Sequence, residues 1–506
     1  MTPTIEQQEI VDAAVAGKNV AVQALAGCAK SSTLYLIAKA MPQKRILYLA
    51  FNKAIVEEAS SKMPENCVCK TIHSVAYGHT NPDILKKLRG KKPYNPTLAT
   101  NLGLSFTNVL DQEGEEVQLS PLRLLGWVRK TVLRYMQSSD VVLAKQHVWI
   151  DPDYRDMKHI EKVRKDVLFA AKKLWATYIN PSDQTAIPHD VYLKIFGLSG
   201  KDLGYDVVMK DECQDASGVM QSILESQKNS QMIYCGDSYQ KIYSFTGSVD
   251  LKPDATFANL TLSTSFRYGQ GIADTAQMVL DKLDCPQKLI GLGKDTIRDD
   301  EAKPDVIICR TNATVLAEYI QAKMLWPSLK INITCDTQQI LDFANALIEL
   351  DTKGKTHHHM LRGFKNSDQL YNWLKKTDDD VDIELLRLAT LCRKVGVHKI
   401  SGALDCHTTH PSPDLTITTA HKSKGLEWDC VQLSDDFPIC LSDDDNPKEE
   451  LRLFYVATTR ARLTIQGFDK YTGNSYLEVF DGETIEMSTP EGKQRAIDVA
   501  NFFFTD

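Results

Sequence analysis

The chain has 506 residues, of which 43% are hydrophobic, so it is long enough to form several domains with their own cores. It has no apolar run of about 18 residues or more, and residues 1–6 lack the basic and apolar regions of a secretory signal. These features exclude a membrane-spanning class and predict a soluble, cytoplasmic protein. The net charge of −7 excludes a uniform coat of positive charge, although one basic groove could still bind nucleic acid.

The twelve cysteines are scattered, mostly singly within apolar stretches, which is typical of reduced core thiols. Two groups, Cys67–Cys69 and Cys406–His410, could be considered as metal ligands. Their spacing fits no complete four-ligand site, and residues 357–359 have the character of a solvated loop, so we expect no metal at these positions.

Residues 19–33 predict a short strand, a loop of small residues and a helix that begins at Lys30. The backbone N–H groups of such a loop can approach a triphosphate closely, while Lys30 supplies a charge and Ser31 a magnesium-ligating hydroxyl. Ala24 and Ala29 stand where the strict phosphate-loop pattern has glycines. A plain strand–turn–helix junction therefore remains an alternative.

Two further strands are predicted to end in polar and aromatic side chains. Residues 45–54 form one of them, which ends in Phe51 and Lys53, and residues 70–74 follow the other. Because ligands bind at the carboxyl ends of parallel strands, these side chains are candidates for stacking a base and holding a phosphate. A strand-to-helix turn without function is the alternative.

Between residues 75 and 200 the strand–helix alternation gives way to helical patterns and two basic clusters. The first cluster is Lys86–Lys92, and the second lies on an amphipathic helix predicted from Arg155 to Trp175. We predict a helical insertion between sheet strands. The clusters are interpreted either as a track for a phosphate backbone or as solvated faces.

The sheet resumes with an apolar strand that ends in Asp211 and Glu212. A magnesium-dependent ATPase needs one acid to hold the metal and a second to take a proton from the attacking water. Two adjacent acids at a strand end are common by chance, but their combination with Lys30 and Ser31 favours ATP hydrolysis.

Later elements of the chain are followed by further candidate functional residues. The strand 231–236 precedes Gln240, which could sense a terminal phosphate, and an aromatic turn with Tyr243 and Phe245. Another strand ends in Arg267. A second strand-rich set, interrupted for roughly 65 residues of helical pattern, finishes with a helix that carries an arginine at its end, Arg460.

Nine ordered segments resemble the helicase motifs of the UvrD/Rep type of superfamily 1. In chain order they are Gln7, 24–32, 51–54, 71–74, 211–215, 236–243, 265–267, 421–427 and 455–461. Residues 50–79 most resemble the F-box DNA helicase branch. No F-box segment precedes residue 1, so we expect no contact with a ubiquitin ligase and a short bacterial or viral form, which would be nuclear if eukaryotic.

The resemblance implies an α/β fold of two RecA-like P-loop domains with mainly helical insertions. The first domain would comprise 1–74 and 200–257, and the second 258–345 and 411–506. A helical, basic insertion would span 75–199, and a small, reduced insertion would span 346–410.

The resemblance also implies a role for each matching residue in an ATP-driven helicase that moves 3′-to-5′ on single-stranded DNA and acts at junctions with duplex DNA, in replication, recombination or repair. The ATP-binding set would be Gln7 at the adenine, Phe266 at the base, Glu427 at the ribose, and Ala26, Gly27, Cys28, Ala29, Lys30, Ser31 and Ser32 at the phosphates. The catalytic set would be Lys30, Asp211, Glu212, Gln240, Arg267 and Arg460, with Mg²⁺ held by Ser31 and Asp211. The DNA-binding set would be Phe51, Asn52, Lys53, His73, Tyr243, Phe245 and His421.

Two departures from the family pattern leave alternatives open. Ala29 could crowd the phosphate-facing backbone if its position needs positive φ, and Thr246 replaces an arginine. A clamp that binds ATP and DNA but hardly hydrolyses ATP is therefore one alternative, and a small-molecule phosphotransferase is another. The complete hydrolytic set favours the motor.

Overall fold

The computed structural model describes residues 2–111, 113–243, 255–294, 303–335, 337–358, 361, 364–374, 389–393, 395–405, 409–442, 446–472, 477–480 and 483–486. The chain forms two compact units. The first contains residues 1–24 and 29–262, and the second contains residues 25–28 and 263–506. In the described part of the chain, no helix combines the length and the apolar character needed to cross a bilayer.

The helices of the first unit are α1 (Ile5–Val15), α2 (Lys30–Ala40), α3 (Lys53–Lys62), α4 (Ile72–Gly78), α5 (Pro82–Lys86), α6 (Asn95–Asn101), α7 (Pro121–Gln137), α8 (Ile160–Ile179), α9 (Asp190–Ser199) and α10 (Gly218–Glu225). Those of the second unit are α11 (Gln270–Lys282), α12 (Asn312–Leu325), α13 (Thr337–Lys353), α14 (Ser367–Leu374), α15 (Val397–Asp405), α16 (Ala420–Ser423) and α17 (Lys448–Thr458).

The strands of the first unit are β1 (Val20–Ala24), β2 (Ile46–Ala50), β3 (Cys67–Thr71), β4 (Thr107–Leu110), β5 (Glu116–Leu119), β6 (Val207–Lys210), β7 (Gln231–Gly236) and β8 (Ala258–Leu262). Those of the second unit are β9 (Thr264–Ser265), β10 (Ile290–Gly291), β11 (Val306–Cys309), β12 (Ile331–Ile333), β13 (Leu415–Thr419), β14 (Trp428–Leu433), β15 (Ala461–Gln466), β16 (Leu477–Phe480) and β17 (Glu483–Glu486).

The main sheet of the first unit is parallel, with the strand order β3-β2-β6-β7-β1-β8. Every residue of β2 and β6 is buried, which explains why β2 and residues 207–209 of β6 are continuous apolar runs, whereas edge strand β3 alternates between partly buried and exposed residues. Because β6, β7 and β1 are neighbours, the segments that follow them emerge at one edge of the sheet.

The main sheet of the second unit is also parallel, with the order β12-β13-β11-β14-β15. Both main sheets are accompanied by helices, so the predicted α/β class is confirmed. Described residues of the predicted small insertion, among them Leu347, Leu370 and Ile400, belong to the same hydrophobic core as Ile307 and Ile417 of this sheet.

The region between α4 and α9 has a hydrophobic core of its own, with α7 and α8 at its centre. Two details differ from the sequence-based expectation. This region also contains an antiparallel hairpin, β4–β5. The helix predicted from Arg155 begins only at Ile160, because His159 adopts a left-handed conformation with φ of 70°, and it extends to Ile179.

One member of the first basic cluster is a structural residue. The side chain of Lys87 is only 3% exposed, and its Nζ donates to the carbonyl oxygens of Thr177 (2.7 Å), Tyr178 (3.0 Å) and Asn180 (2.8 Å). These carbonyls lie at the C-terminal end of α8, where backbone acceptors lack helical partners and a positive charge is favourable. Neither interpretation of the cluster Lys86–Lys92, as a phosphate track or as a solvated face, therefore applies to Lys87.

We predict that Lys87→Ala loosens the C-terminal turn of α8, because three carbonyls lose their donor. The expected cost is about 1.5–3 kcal/mol, the usual range for hydrogen bonds to a charged group. Thermal unfolding should show a lower midpoint, and hydrogen exchange should be faster at residues 174–180. The matched control is Lys86→Ala, since the Lys86 side chain is 77% exposed and pairs with the exposed Asp83. Equal behaviour of the two variants would contradict the capping role.

Candidate functional site

The loop between β1 and α2 leads into a helix whose N-terminus has no side-chain cap. By contrast, α1, α3 and α4 are capped by side chains of Thr4, Asn52 and Thr71. The first backbone N–H groups of a helix need external partners, and together with the helix dipole they form a ready site for an anion. The start of α2 therefore has the local structure of an anion site.

Ala29 adopts the left-handed conformation, with φ of 54° and ψ of 40°, immediately before α2. This conformation costs an L-residue about 1–2 kcal/mol. Of the other residues predicted to bind phosphate, Cys28 is buried, Ser31 is exposed and Ser32 is partly buried. The loop thus takes a glycine-like path even though glycine is absent at residue 29.

Lys30, the first residue of α2, forms an ion pair with Glu212 (Nζ to Oε1, 3.3 Å). Burial lowers the pKa of Lys30, but the carboxylates of Glu212, Asp237 and Asp211 more than offset this effect, so the net pKa is raised above its ordinary value. The ammonium group therefore stays charged within an acidic pocket.

Asp211 is buried and accepts hydrogen bonds from Tyr48 Oη (2.5 Å) and from the backbone N–H of Glu212 (2.9 Å). Burial raises the pKa of Asp211, and the neighbouring Glu212 carboxylate adds to this effect, while the bond from Tyr48 opposes it. Sequence reasoning missed Tyr48, because a tyrosine within the apolar run of β2 gives no signal beyond that of a core residue.

Glu212 also has a left-handed backbone, with φ of 48° and ψ of 50°. Within the described ranges, four non-glycine residues have positive φ, and two of them, Ala29 and Glu212, belong to this site. Such strain persists only where the surroundings enforce it, and it clusters at functional sites. Gln214 holds the carboxylate in place by donating from Nε2 to Glu212 Oε2 at 2.6 Å.

A second buried carboxylate, Asp237, lies just beyond β7 and is fully buried. It accepts hydrogen bonds from Gln240 Nε2 (2.8 Å), Tyr239 N (3.1 Å) and Gln23 Nε2 (3.3 Å), while its own N–H donates to Gln214 Oε1 (3.0 Å). Burial raises the pKa of Asp237. The predicted residue Gln240 is thus oriented by Asp237, which sequence reasoning had not assigned to the site.

Gln7 lies in the first turn of α1 and is buried. Its side-chain oxygen accepts from Thr4 N (3.0 Å) as part of a capping box, and its Nε2 donates to Thr33 Oγ1 (3.1 Å). Thr33 in turn donates to the carbonyl of Ala29 (3.1 Å). Gln7 is therefore connected to the phosphate-loop candidate through one threonine.

Aromatic rings lie at the end of β2. Phe51 is 44% exposed and stacks on Tyr243, with ring centroids 5.9 Å apart and planes within 10°. Asn52 is occupied locally, because its side chain caps α3 by accepting from Ile55 N at 2.9 Å. The structure thus brings Phe51 and Tyr243 together and gives Asn52 a structural contact.

His73 packs edge-on against Tyr192, at 6.0 Å between centroids, and burial lowers its pKa. Lys53 is largely exposed and forms a 3.5 Å ion pair with Glu57. Phe245 and Thr246 lie outside the described residues, as do Cys406 and His407 of the considered metal group. Among the residues that are described, no group of three or more His, Cys, Asp or Glu side chains is placed to hold a metal ion.

In the second unit, Arg267 and Glu427 form an ion pair (Nε to Oε2, 2.8 Å), and Arg267 also donates to the carbonyl of Thr459 at 2.9 Å. Arg462 approaches the same carboxylate at 3.6 Å. The neighbouring Phe266 is 48% exposed. The structure therefore brings together two predicted residues, Arg267 and Glu427, that lie far apart in sequence.

Arg460 is 2% exposed. It donates to the carbonyls of Val456 (2.8 Å) and Leu426 (3.2 Å) and to Thr459 Oγ1 (3.1 Å). His421 is the second residue of the same unit's short helix α16, and burial lowers its pKa. In this conformation the guanidinium of Arg460 has a structural role within the second unit.

The short segment that joins β1 to α2 belongs to the second unit. The N–H of Ala26 donates to Tyr455 Oη (3.0 Å), and its carbonyl accepts from Tyr268 Oη (2.7 Å). Gly27 has φ of 75°, and a Cβ added there would collide with Ser265. Sequence reasoning assigned neither Tyr268 nor Tyr455 to the site. The one signal for Tyr455 was its position in the segment 455–461, which resembles a helicase motif.

Comparison with protein families matches residues 129–466 to the UvrD-like helicase C-terminal domain and residues 7–246 to an AAA domain. F-box DNA helicase protein 1 from Schizosaccharomyces pombe is 28% identical over 504 residues, which cover 91% of this chain and 56% of the yeast protein. F-box DNA helicase 1 from Gallus gallus is 27% identical over 497 residues, which cover 91% of this chain and 48% of the chicken protein.

The chain spans about half the length of the curated relatives that it matches. Both relatives are eukaryotic, so the comparisons do not support the expected bacterial or viral origin. The resemblance seen in the sequence motifs is confirmed, since the helicase match covers more than half of the chain. Helicases of this type hydrolyse ATP and are built on RecA-like P-loop folds. The chain belongs to the UvrD-like helicase family.

Proposed function

We propose that this chain is a motor that hydrolyses ATP to move 3′-to-5′ along single-stranded DNA and to open junctions with duplex DNA, in replication, recombination or repair. The observation that carries the proposal is the cluster of Lys30, Asp211 and Glu212 beside the uncapped start of α2. Family membership supports it independently. The relatives are about twice as long as this chain, so their activity is a proposal for this chain.

The phosphates of ATP are negatively charged, and the start of α2 offers two kinds of partner for them. The uncapped start of α2 offers backbone donors, and Lys30 is held in its charged form. We propose that Ala26–Ser32 cradle the phosphates and that Gln7 and Phe266 contact the base. Glu427 would then meet the ribose.

A Mg²⁺ ion fits this site because its positive charge would offset the negative charge of buried carboxylates. Asp211 and Asp237 are buried with raised pKa values, which means that the protein alone stabilises their anionic forms poorly. Mg²⁺ usually takes one or two protein oxygens together with substrate phosphates, so a complete protein cage is not needed. We propose that the Ser31 hydroxyl and the Asp211 carboxylate hold it. When bound, the ion neutralises charge on the phosphates.

Glu212 is proposed to take the proton from the attacking water. Its two carboxylate oxygens are held by different groups, Oε1 by Lys30 and Oε2 by Gln214. A bound phosphate would compete with Glu212 for the Lys30 ammonium. Release of Oε1 from this ion pair would free the base at the moment that the nucleotide arrives. Gln240, held by Asp237, would sense the terminal phosphate.

The proposed second-unit contributors are Arg267 and Arg460, which would stabilise transition-state charge as arginine fingers. Arg267 is paired with Glu427 and Arg460 is buried among carbonyl groups, so each would have to exchange protein partners for phosphate. Such an exchange would couple hydrolysis to conformational change.

Single-stranded DNA is proposed to contact the strand ends that carry aromatic and polar side chains. The Phe51–Tyr243 stack offers an exposed ring face, which suits an unpaired base of any sequence. The other proposed contacts are Asn52, Lys53, His73 and His421, with Phe245 outside the described residues.

The domain organisation remains a proposal: 1–74 with 200–257, and 258–345 with 411–506, as the two RecA-like domains. The separate core between Ile84 and Val191 supports 75–199 as an insertion. The shared core described above gives less support to 346–410 as an independent body.

A clamp that binds but does not hydrolyse ATP was suggested by Ala29. The positive φ of Ala29 meets the condition behind that alternative, yet the loop still follows the path that a glycine would allow. Glu212 and Gln214 would also have no purpose in a clamp. The hydrolysis tests below decide between the two functions.

We predict that Glu212→Gln lowers kcat for ATP hydrolysis by about 10²–10⁴-fold, the usual contribution of a general base. ATP affinity should stay close to that of the unmodified chain, because the substitution removes a competitor for Lys30 and no phosphate ligand. Phosphate release and binding of a fluorescent ATP analogue measure the two quantities. Glu225→Gln, an exposed acid at the end of α10, is the control. Substantial hydrolysis by Glu212→Gln would remove its assignment as the base.

We predict that the chain displaces a strand from a partial duplex with a 3′ single-stranded tail and leaves a duplex with a 5′ tail intact. The reason is the proposed 3′-to-5′ movement on the loading strand. Gel separation of the products with ATP measures this, and Lys30→Ala provides the control for contaminating activity. Displacement that requires a 5′ tail would contradict the proposed polarity.

A further inference from the structure

A groove on the insertion of the first unit lies between the β4–β5 hairpin, the segment before it, and α8. It has a volume of about 670 Å³, and its lining includes Phe106, Asn108, Gln118, Lys162 and Phe169. We call it the insertion groove. None of these residues belongs to the segments that resemble helicase motifs.

Two phenylalanines at the groove are unusually exposed. Phe106 is 64% exposed and Phe169 is 60% exposed, although each ring would be stabilised by burial. Phe169 lies in the middle of α8, whose buried face is occupied by other residues such as Val163 and Leu174. The aromatic ring of Phe169 therefore lies on the solvent face of α8, where a partner can stack on it.

The same face of α8 is basic. Lys162, Lys165, Lys172 and Lys173 are exposed and lie within about two turns of Phe169 at helical spacing. Lys173 Nζ is 4.7 Å from the centroid of the Phe169 ring. In a chain with a net charge of −7, this concentration of lysines favours a polyanionic partner.

Acidic residues reduce this charge only in part. Glu161 pairs with Arg164 at 3.0 Å on the same helix, which leaves Asp166 as the acid among the lining residues of the groove. With four exposed lysines against Asp166, the charge on this face of α8 remains positive. A phosphate backbone can therefore approach it.

The hairpin provides polar groups suited to base edges. Asn108 and Gln118 are directly opposite each other on β4 and β5, and both are exposed. Gln118 Nε2 donates to Asn108 Oδ1 at 3.5 Å, and Asn108 Nδ2 donates to the Glu116 carboxylate at 3.0 Å, so a base would compete with these contacts. Side-chain amides offer both donors and acceptors. Val109 and Leu119 are fully buried and fix the hairpin to the core of the insertion.

The groove is also held in shape on its other side. Leu110 in β4 exchanges two backbone hydrogen bonds with Lys158, just before α8, at 3.2 and 2.8 Å. The hairpin and the helix are thus connected directly, and a ligand would enter a preformed site without ordering a loop.

We propose that the insertion groove is a second binding site for single-stranded nucleic acid, where unpaired bases stack on Phe106 and Phe169 and phosphates contact the lysines of α8. Duplex DNA fits the groove poorly, because its bases are stacked on each other and present no free ring face. That the strand is DNA rests on the proposed function, whereas the stacking chemistry does not. The site would hold a strand beside the motor contacts and so lengthen the footprint of the chain.

The test uses the full chain and an oligo(dT) probe labelled with fluorescein, measured by anisotropy without nucleotide. The double variant Phe106→Ala, Phe169→Ala should weaken binding about tenfold or more, the effect typical of losing base–aromatic stacking. Phe169→Trp should retain binding because it keeps a stacking ring. Trp326→Ala, which removes a 54% exposed aromatic ring from the second unit, is the matched control.

A second readout locates the contact directly. An oligo(dT) with one 5-iodouracil should crosslink on irradiation to a peptide that contains Phe106 or Phe169, also in the Lys30→Ala background. Unchanged affinity of the double variant together with crosslinks only elsewhere would overturn the proposal, as would equal competition by blunt duplex. Crosslinking at the groove without any DNA-stimulated ATP hydrolysis would instead refute the proposed motor and leave the groove standing.

Discussion

The ion pair between Lys30 and Glu212 is the interaction on which the site of the first unit depends. Burial of the carboxylates Asp211 and Asp237 is unfavourable, and the pKa of each is accordingly raised. Lys30 offsets part of this cost and is held charged in return. The neighbouring order β6-β7-β1 makes the arrangement possible, because it gathers the ends of three strands that are distant in sequence.

Backbone strain and buried charge occur together in this site. Glu212 is held in a left-handed conformation beside a buried carboxylate, and Ala29 takes the same conformation on the opposite side of the ion pair. Both conformations cost free energy that the surrounding packing must supply. A phosphate that replaces Glu212 as the partner of Lys30 would add negative charge to this pocket, and a divalent cation would offset that charge. The site is therefore suited to an anion together with a divalent cation.

Much of the fold was predictable, because a buried parallel strand such as β2 is a continuous apolar run whose end carries motif residues. The supporting contacts were not. Tyr48 looks like any core tyrosine until the pairing of β2 with β6 places its hydroxyl on Asp211. Lys87 belongs to a basic cluster in the sequence, yet its ammonium group binds carbonyl oxygens at the end of α8. A local sequence pattern carries no information on such long-range contacts.

We propose that the cluster around Lys30 hydrolyses ATP to drive movement on DNA. The rate of ATP hydrolysis by the purified chain, with and without single-stranded DNA and beside Lys30→Ala, tests this proposal. We expect a large increase with DNA that disappears in the variant. Hydrolysis that stays negligible while ATP and DNA are both bound would contradict it and would identify the chain as a clamp.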